Sequence, residues 1–253
     1  MAAVTYAQKP DYSKSRRSVR FVSYNVGVFS KYTGDSTPEV AKMMHEIRAD
    51  VVAVNEQDSC NRRHHVYQTE RFAEELGDWN FAYASAMKFA GGSYGGGLVC
   101  KNPILKKFSI ALPKGDGHVP RVCVVVETHK FVVASVHLDH SKEAVRVQQA
   151  QYLTQELVRL YGRSRKPVVL CGDLNASPDS QTLDFLKGEW VLVSETAPTY
   201  PSGKAKECID YILVLKNRSR YQVHKYAVCT EFESADVRDA SDHLPVFVDI
   251  VIK

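Results

Sequence analysis

The chain lacks any apolar run near the ~20 residues that a membrane-spanning helix needs. Its longest, such as VFVDIVI near the C-terminus, are strand-sized, so no transmembrane anchor is expected. It also lacks a CxxC pair. The six cysteines, Cys60, Cys100, Cys123, Cys171, Cys208 and Cys229, are scattered, which argues against a structural zinc site, and several fall in strand-like runs where a free thiol acts as a small hydrophobe. Unpaired thiols favour a reducing, cytoplasmic compartment. One sign points the other way, to export: the opening AAVTYAQKP has small residues at Thr5 and Ala7, as the tail of a cleaved signal would, although no basic and long apolar segment precedes them.

A strong charge of one sign is missing too. A net charge of +4 over 253 residues is too weak to argue for nucleic acid, and KSRRSVR and YGRSRK read as solvated surface. Hydrophobic residues at 44% and charged residues at 25% exclude disorder and a membrane class. With no repeat, low-complexity segment or Pro/Ser-rich linker, a single domain is expected over residues 19–253, as a monomer, behind a poorly ordered polar leader at 1–18.

What is present is a series of strand-like runs. VRFVSYNV, VVAVNEQ, NFAYAS, RVCVVVET, KFVVASVHL, PVVLC, CIDYILVL, YQVHKYAVC and LPVFVDIVI all qualify. Helical spacing appears in PEVAKMMHEIRA, with Pro38 at its start and Val40, Met43, Met44 and Ile47 apolar, and again at 67–76. The longest helix is expected from Lys142 to about Tyr161, with Val147, Ala150, Leu153, Leu157 and Leu160 on one stripe and Ser141 as N-cap. Gly91, Gly92 and SYGGG read as a loop able to approach a ligand, and a hairpin turn is expected near Thr128, His129 and Lys130. Strands in hairpins and beside helices make the fold α/β with mixed, largely antiparallel sheets covered by helices.

Polar residues end many of these strands: Asn25, Glu56, His137, Asp173 and Asn175 in GDLN, Asp210, and Asp242 with His243. A carboxylate abutting apolar strand is costly unless paired, hydrogen-bonded or holding a cation, so together they suggest one shared polar site. Strand alternation puts Asp173 and Asn175 on the same face, and Gly172 is read as letting the chain turn where a phosphate approaches. Glu, Asp and Asn are hard oxygen ligands suited to Mg²⁺ or Mn²⁺. Mg²⁺ keeps positions for water and phosphate oxygens, so phosphate-ester hydrolysis is the natural chemistry.

SYNV, NEQ, VHLDH, GDLNASP, IDYILV and SDHLPV, in this order, resemble the motifs of the endonuclease/exonuclease/phosphatase superfamily, which includes pancreatic-type deoxyribonucleases, inositol polyphosphate phosphatases and bacterial sphingomyelinases. The resemblance implies a four-layer α/β sandwich, two packed mixed β-sheets flanked by helices. It makes Glu56 the principal metal ligand, with Asn25 and Asp242 near the metal or phosphate. Asp173 would orient or deprotonate the attacking water and Asn175 hold the water or a phosphoryl oxygen. His243, held by Asp210, would contact the scissile phosphate; His137 would be an acid toward the leaving oxygen, and Arg121 would bind phosphate.

Taken singly, each motif also has a bland reading: GDLN as a strand-to-turn junction in which Asp173 accepts backbone N–H groups, SDH as turn chemistry, and His64 and His65 as a solvated loop rather than a substrate contact. Asp139 is read as bracing the site and His140 as starting the next helix. Arg146 and Gln149 are assigned a buried structural role, most simply a salt bridge, and Tyr94 lines the pocket. Where abasic-site endonucleases carry an acidic residue, Gly27 stands, and no basic, aromatic insertion for stacking bases is present. The expected function is thus a Mg²⁺- or Mn²⁺-dependent phosphoesterase acting by direct water attack on an inositol phosphate, sugar phosphate or phospholipid headgroup. The alternatives are a DNA or RNA nuclease, and a catalytically silent phosphate-binding module.

Overall fold

In a computed structural model of the protein, residues 10–253 are described; the opening stretch with Thr5 and Ala7 lies outside them. Val19–Asn25 (β1) and Val51–Ser59 (β2) flank Thr37–Glu46 (α1). Pro38 stands in the first turn of α1, where its missing N–H goes unneeded, and Val40, Met43, Met44 and Ile47 are completely buried. Gln68–Glu75 (α2) precedes Asn80–Phe89 (β3) and Gly92–Cys100 (β4). Lys106–Ala111 (β5), Val122–Glu127 (β6) and Val132–His137 (β7) follow. Glu143–Tyr161 (α3) then leads to Val168–Asp173 (β8) and Gln181–Glu189 (α4). Trp190–Leu192 (β9), Asp210–Leu215 (β10), Tyr221–Val228 (β11), Val237–Ala240 (α5) and Val246–Ile252 (β12) complete the order.

The strands form two six-stranded sheets, ordered β11-β12-β1-β2-β4-β3 and β5-β6-β7-β8-β10-β9. Each is antiparallel except for one central parallel pair, β1 with β2 and β7 with β8. A parallel pair needs a crossover, and α1 and α3 supply them. The alternation of side chains along β7, β8 and β10 builds the layers. Val133, Val169, Cys171, Ile212 and Val214 face the first sheet in one core. Val132, Ala134, Leu170 and Leu213 face Leu153, Leu157, Leu183 and Leu186 of α3 and α4 in a second core. Burial on both faces explains why these strands are uninterrupted apolar runs. Across the seam Phe21 meets Phe131 edge-on, their ring centroids 4.9 Å apart.

Several expectations shift. The SYGGG segment is no loop but part of β4, and two of its glycines are required by packing: a Cβ at Gly95 would lie 1.9 Å from the Ala84 carbonyl oxygen and one at Gly97 2.2 Å from Gln57 Oε1. Gly172 likewise lies inside β8, where a Cβ would come within 1.8 Å of the Val136 carbonyl oxygen; the chain does not turn there. Ser141 does not cap α3. Instead Asp139 Oδ1 accepts the N–H groups of Ser141 and Lys142, each at 2.9 Å. The buried stripe of α3 is Val145, Gln149, Ala150, Leu153, Leu157 and Tyr161, with Leu160 exposed and Val147 half-buried. Gln149 accepts from the Asp139 N–H and donates to the Pro113 carbonyl, and Arg146 donates to the Asp139 carbonyl, so hydrogen bonds stand where a salt bridge was expected.

From residue 10 the leader packs on the sheet. Tyr12 contacts Phe232 and Phe247, and Arg20, paired with Asp249, donates to the carbonyls of Tyr12 and Ser13.

Gly172→Ala is expected to destabilise the fold by about 1–3 kcal/mol or more through overpacking. Gly188→Ala in α4, where an added Cβ meets nothing within 4 Å, should stabilise by ~0.5–1 kcal/mol. Urea unfolding of the two variants checks both signs; equal effects would remove the packing explanation for Gly172.

Candidate active site

Both parallel pairs end at the same edge of the sandwich. The register sets Asn25 beside Asn55 in the first sheet, and His137 and Asp210 on either side of Asp173 in the second. Asn55 spans the seam: its Nδ2 donates to the Val136 carbonyl at 3.0 Å and its Oδ1 accepts the Asp173 N–H at 2.9 Å. Next to it β2 bulges, since the register with β4 slips between Val54 and Gln57, and Glu56 takes a left-handed backbone with φ 58°. A bulge re-aims side chains; here it delivers a half-buried Glu56 to the cleft wall.

Asp173 is the hub. Its Oδ1 accepts the Asn175 N–H at 2.9 Å, the turn chemistry of the bland reading, while Oδ2 takes the Asn25 amide at 3.1 Å and lies 3.4 Å from His137 Nε2 and 3.7 Å from His243 Nε2. Asn175 follows the end of β8 with φ 49°, so strand alternation does not place it. Its Nδ2 is anchored on the Leu138 carbonyl at 3.1 Å, and it too lines the cleft. His243 Nδ1 is 2.9 Å from Asp210 Oδ2, which also accepts from Thr199 Oγ1 at 2.6 Å.

Burial and charge set the protonation states. Burial opposes charge on His243, but Asp210, Asp173 and Asp242 outweigh it and raise its pKa to about 10, so the ring is an imidazolium at neutral pH. Asp173 is pushed up to about 7 by burial and by repulsion from Asp210, against the pull of His243, the Asn175 N–H and the Asn25 amide. Burial, together with Arg121, His243 and His140, holds His137 well below the usual histidine range, leaving it neutral.

The cleft, about 820 Å³, is lined by Glu56, Tyr94, Arg121, His137, Asp173, Asn175, Asp242 and His243. Asp210 lies beneath it, fully buried. Arg121 is buried, its Nη2 3.4 Å from His140 Nδ1 and its Nε without any partner among the described residues. Tyr94 is held protonated, burial and Glu56 raising its pKa. Asp242 pairs with Lys31 at 2.7 Å. Asp139 stands behind the site, bound to His118 Nδ1 at 2.7 Å, and His140 lines the cleft rather than merely starting α3. His64 is no solvated loop residue: it joins Asp58 at 2.6 Å to Ser30 Oγ at 2.9 Å. Asn55, Thr199, Lys31 and Tyr200, whose ring lies 4.9 Å from that of His243, were not legible as site residues, since none sits in a motif-like setting except Asn55, next to Glu56.

The sequence profile of the Endonuclease/Exonuclease/phosphatase family matches residues 22–243. The chain belongs to this family. Solved structures with the same fold include a mannosyl-6-phosphatase of Bacteroides thetaiotaomicron, 20% identical, with TM-score 0.75 over 92% of this chain and 100% of that one. The human Nocturnin catalytic domain with bound sulfate is 15% identical, with TM-score 0.70 over 95% and 97%. A 2′,3′-cyclic phosphatase is 14% identical, with TM-score 0.69 over 94% and 96%. Among curated proteins, none matches the sequence. No helix among the described residues is long and apolar enough to cross a membrane.

Two donor sets are candidates for the divalent ion that the family generally uses. Asp173, Asp210 and His243 bring ligand atoms within 4.8 Å of one another, yet a protonated His243 already holds the two carboxylates together and leaves no lone pair for a metal. Glu56 and Asp242 fit better. Both are hard oxygen donors on one cleft, Glu56 is engaged among the described residues only by the Asn25 amide at 3.2 Å, and both raise the pKa of Lys31, which shows the negative field there. Asn25 turns its oxygen to the Gly27 N–H at 3.1 Å and its NH₂ to the carboxylates, so it steadies Glu56 and Asp173 rather than facing the ion with oxygen.

Calorimetric titration with Mn²⁺ or Mg²⁺ should show saturable binding that Glu56→Gln removes; equal binding by both proteins would take Glu56 out of the metal site. Thr199→Val, which strips a hydrogen bond from buried Asp210, should cost ~1.5–3 kcal/mol in urea unfolding. A loss under ~0.5 kcal/mol would show the contact to be incidental.

Proposed function

We propose that the protein is a divalent-metal-dependent phosphoesterase that hydrolyses a small phosphate ester by direct attack of water, with no covalent enzyme intermediate. The observation that carries this reading is the buried line Asp210, His243, Asp173 facing the cleft that Arg121 also lines. It supplies a base, a fixed positive charge and a guanidinium with hydrogen bonds to spare.

Asp173, oriented by Asn175 and Asn25, takes the proton from the attacking water; a base poised near pH 7 combines availability with driving force. Asn175 keeps its side-chain oxygen to orient that water. His243, charged because of Asp210, stabilises the negative charge that grows on the phosphoryl oxygens, and Arg121 binds those oxygens. Glu56 and Asp242 would hold the divalent ion, which when bound would add neutralisation of the phosphate charge. Neutral His137 donates a hydrogen bond rather than a proton: the environment that depresses its pKa disfavours the imidazolium a general acid would need.

The substrate is read from the cleft wall, where Met87, Phe89 and Tyr94 suit the carbon face of a small ring such as that of a sugar phosphate. A mannosyl-6-phosphatase among proteins of the same fold is consistent with a sugar phosphate.

With Mg²⁺ or Mn²⁺, the protein should hydrolyse hexose 6-phosphates or p-nitrophenyl phosphate faster than it nicks plasmid DNA; the reverse order would make it a nuclease. Tight phosphate binding without turnover would make it a binding module. Glu56→Ala and His243→Ala should each lower kcat/KM by ~10²-fold or more with the circular dichroism spectrum retained, and near wild-type rates in both would sink the assignment. The pH profile follows from the signs of the shifts. Asp173 must lose its proton, so activity rises through about pH 7, and His243 must keep its own, so activity falls only near about pH 10. A flat profile from pH 5 to 8 would remove Asp173 as the base.

A further inference from the structure

Arg63 lines the same cleft as the hydrolytic residues but belongs to a separate construction. Its Nε and Nη2 donate to the two oxygens of Asp58 at 2.7 and 2.9 Å, and the Asp58 side chain is fully buried. The guanidinium carbon lies 4.8 Å from the centroid of the Phe89 ring, so the planar group is gripped along one edge and laid on an aromatic face. The segment carrying it is tied on both sides. Asn61 Oδ1 accepts the N–H groups of Arg63 and His64, Asn61 Nδ2 donates to the Ser93 carbonyl, the Arg62 N–H donates to the Ala90 carbonyl, and His64 bridges Asp58 to Ser30.

This grip leaves one edge of the fork unused. Arg63 Nη1 hydrogen-bonds to nothing among the described residues, and the side chain is 42% exposed where it meets the cleft. Arg63 is near enough to Glu56 for the carboxylate to act on it, and the cleft that both line also holds Asp173 and His243, so the open edge and the hydrolytic centre belong to one space. Met87, Phe89 and Tyr94 line the same space. An arginine whose rotamer freedom is already spent binds an anion at low entropic cost, and its two-donor edge matches a phosphate or a carboxylate.

We propose that Arg63 is a second anion subsite, and that the preferred substrate is a small phosphate ester whose leaving group carries a further phosphate or carboxylate. This rests on the phosphoesterase reading of the same cleft. The scissile phosphate takes the end near Asp173 and His243, the carbon skeleton lies on the Phe89 wall, and the second anion meets Arg63.

Glucose 6-phosphate, 6-phosphogluconate and glucose 1,6-bisphosphate separate the cases, since they carry no second anion, a carboxylate and a phosphate. KM for at least one doubly anionic ester should lie about tenfold or more below that for glucose 6-phosphate, the worth of a charge-assisted hydrogen bond. In Arg63→Met that preference should collapse to near unity, mainly through KM, with kcat changed far less. Where Arg63→Met melts well below wild type, Arg63→Lys, which keeps a cation for Asp58 but not the fork, should lose most of the same preference. Calorimetry of the three sugars on protein stripped of metal with EDTA reads the subsite without turnover. A wild-type protein that cleaves none of them yet binds a doubly anionic sugar tenfold better than glucose 6-phosphate, with the difference lost in the variants, would overturn the phosphoesterase reading and keep the subsite. Equal affinities in the wild type, or a preference that survives both substitutions, would overturn the subsite.

Discussion

The site depends on the closure of two sheets over each other, and the amide of Asn55 is where that closure becomes specific. Its donor ends on one strand of the opposite sheet and its acceptor on the next, at Val136 and Asp173. Because its side chain is buried, no water is at hand to replace either bond, and a lost partner would leave a polar group unsatisfied at real cost. The clasp fixes the height of the Asp173 backbone relative to β2, and the bulge beside Asn55 then fixes Glu56. The distances within the site therefore follow from how the sheets are registered.

Given that placement, the electrostatics follow from a shortage of positive charge in a dry space. Asp173 and Asp210 are both buried, and His243 is the cation between them. It keeps its proton in spite of burial, and Asp173 is left easier to protonate than a surface carboxylate because it is buried and because Asp210 repels its charge while the two acids share one cation. His137, close to the same acid, is driven to the opposite state by burial and then by Arg121 and His243. Two histidines a few ångströms from one carboxylate thus stand in different protonation states, and Asp210, which pairs with His243, makes the difference between them.

Much of this was legible beforehand. The apolar runs named the central strands, and the residues ending them, Asn25, Glu56, His137, Asp173, Asp210, Asp242 and His243, are the ones the fold gathers, because a polar residue at the end of a buried strand stays only where something satisfies it. Gly91 does turn the chain between β3 and β4, but glycine misled in the SYGGG segment and at Gly172. Gly95, Gly97 and Gly172 lie in strands because a neighbouring carbonyl or side chain occupies the space of a Cβ, and close approach of that kind leaves no pattern along the chain. The stripe on α3 was misassigned by a few positions for a related reason. Gln149 is buried as a hydrogen-bonding bracket for Asp139 and Pro113, a role that hydrophobic periodicity does not register.

By itself the sequence determined the α/β class, the polar ends of the core strands and the kind of chemistry hard oxygen donors support, since these depend on alternation and residue type, which are local. The tertiary structure alone decided which carboxylate shares a proton with which histidine, that Thr199 secures Asp210, that Lys31 faces Asp242, and that Arg63 is held edge-out toward the cleft. Those relations join residues far apart in the chain, and distance and burial, which set their energies, exist only once the two sheets have closed.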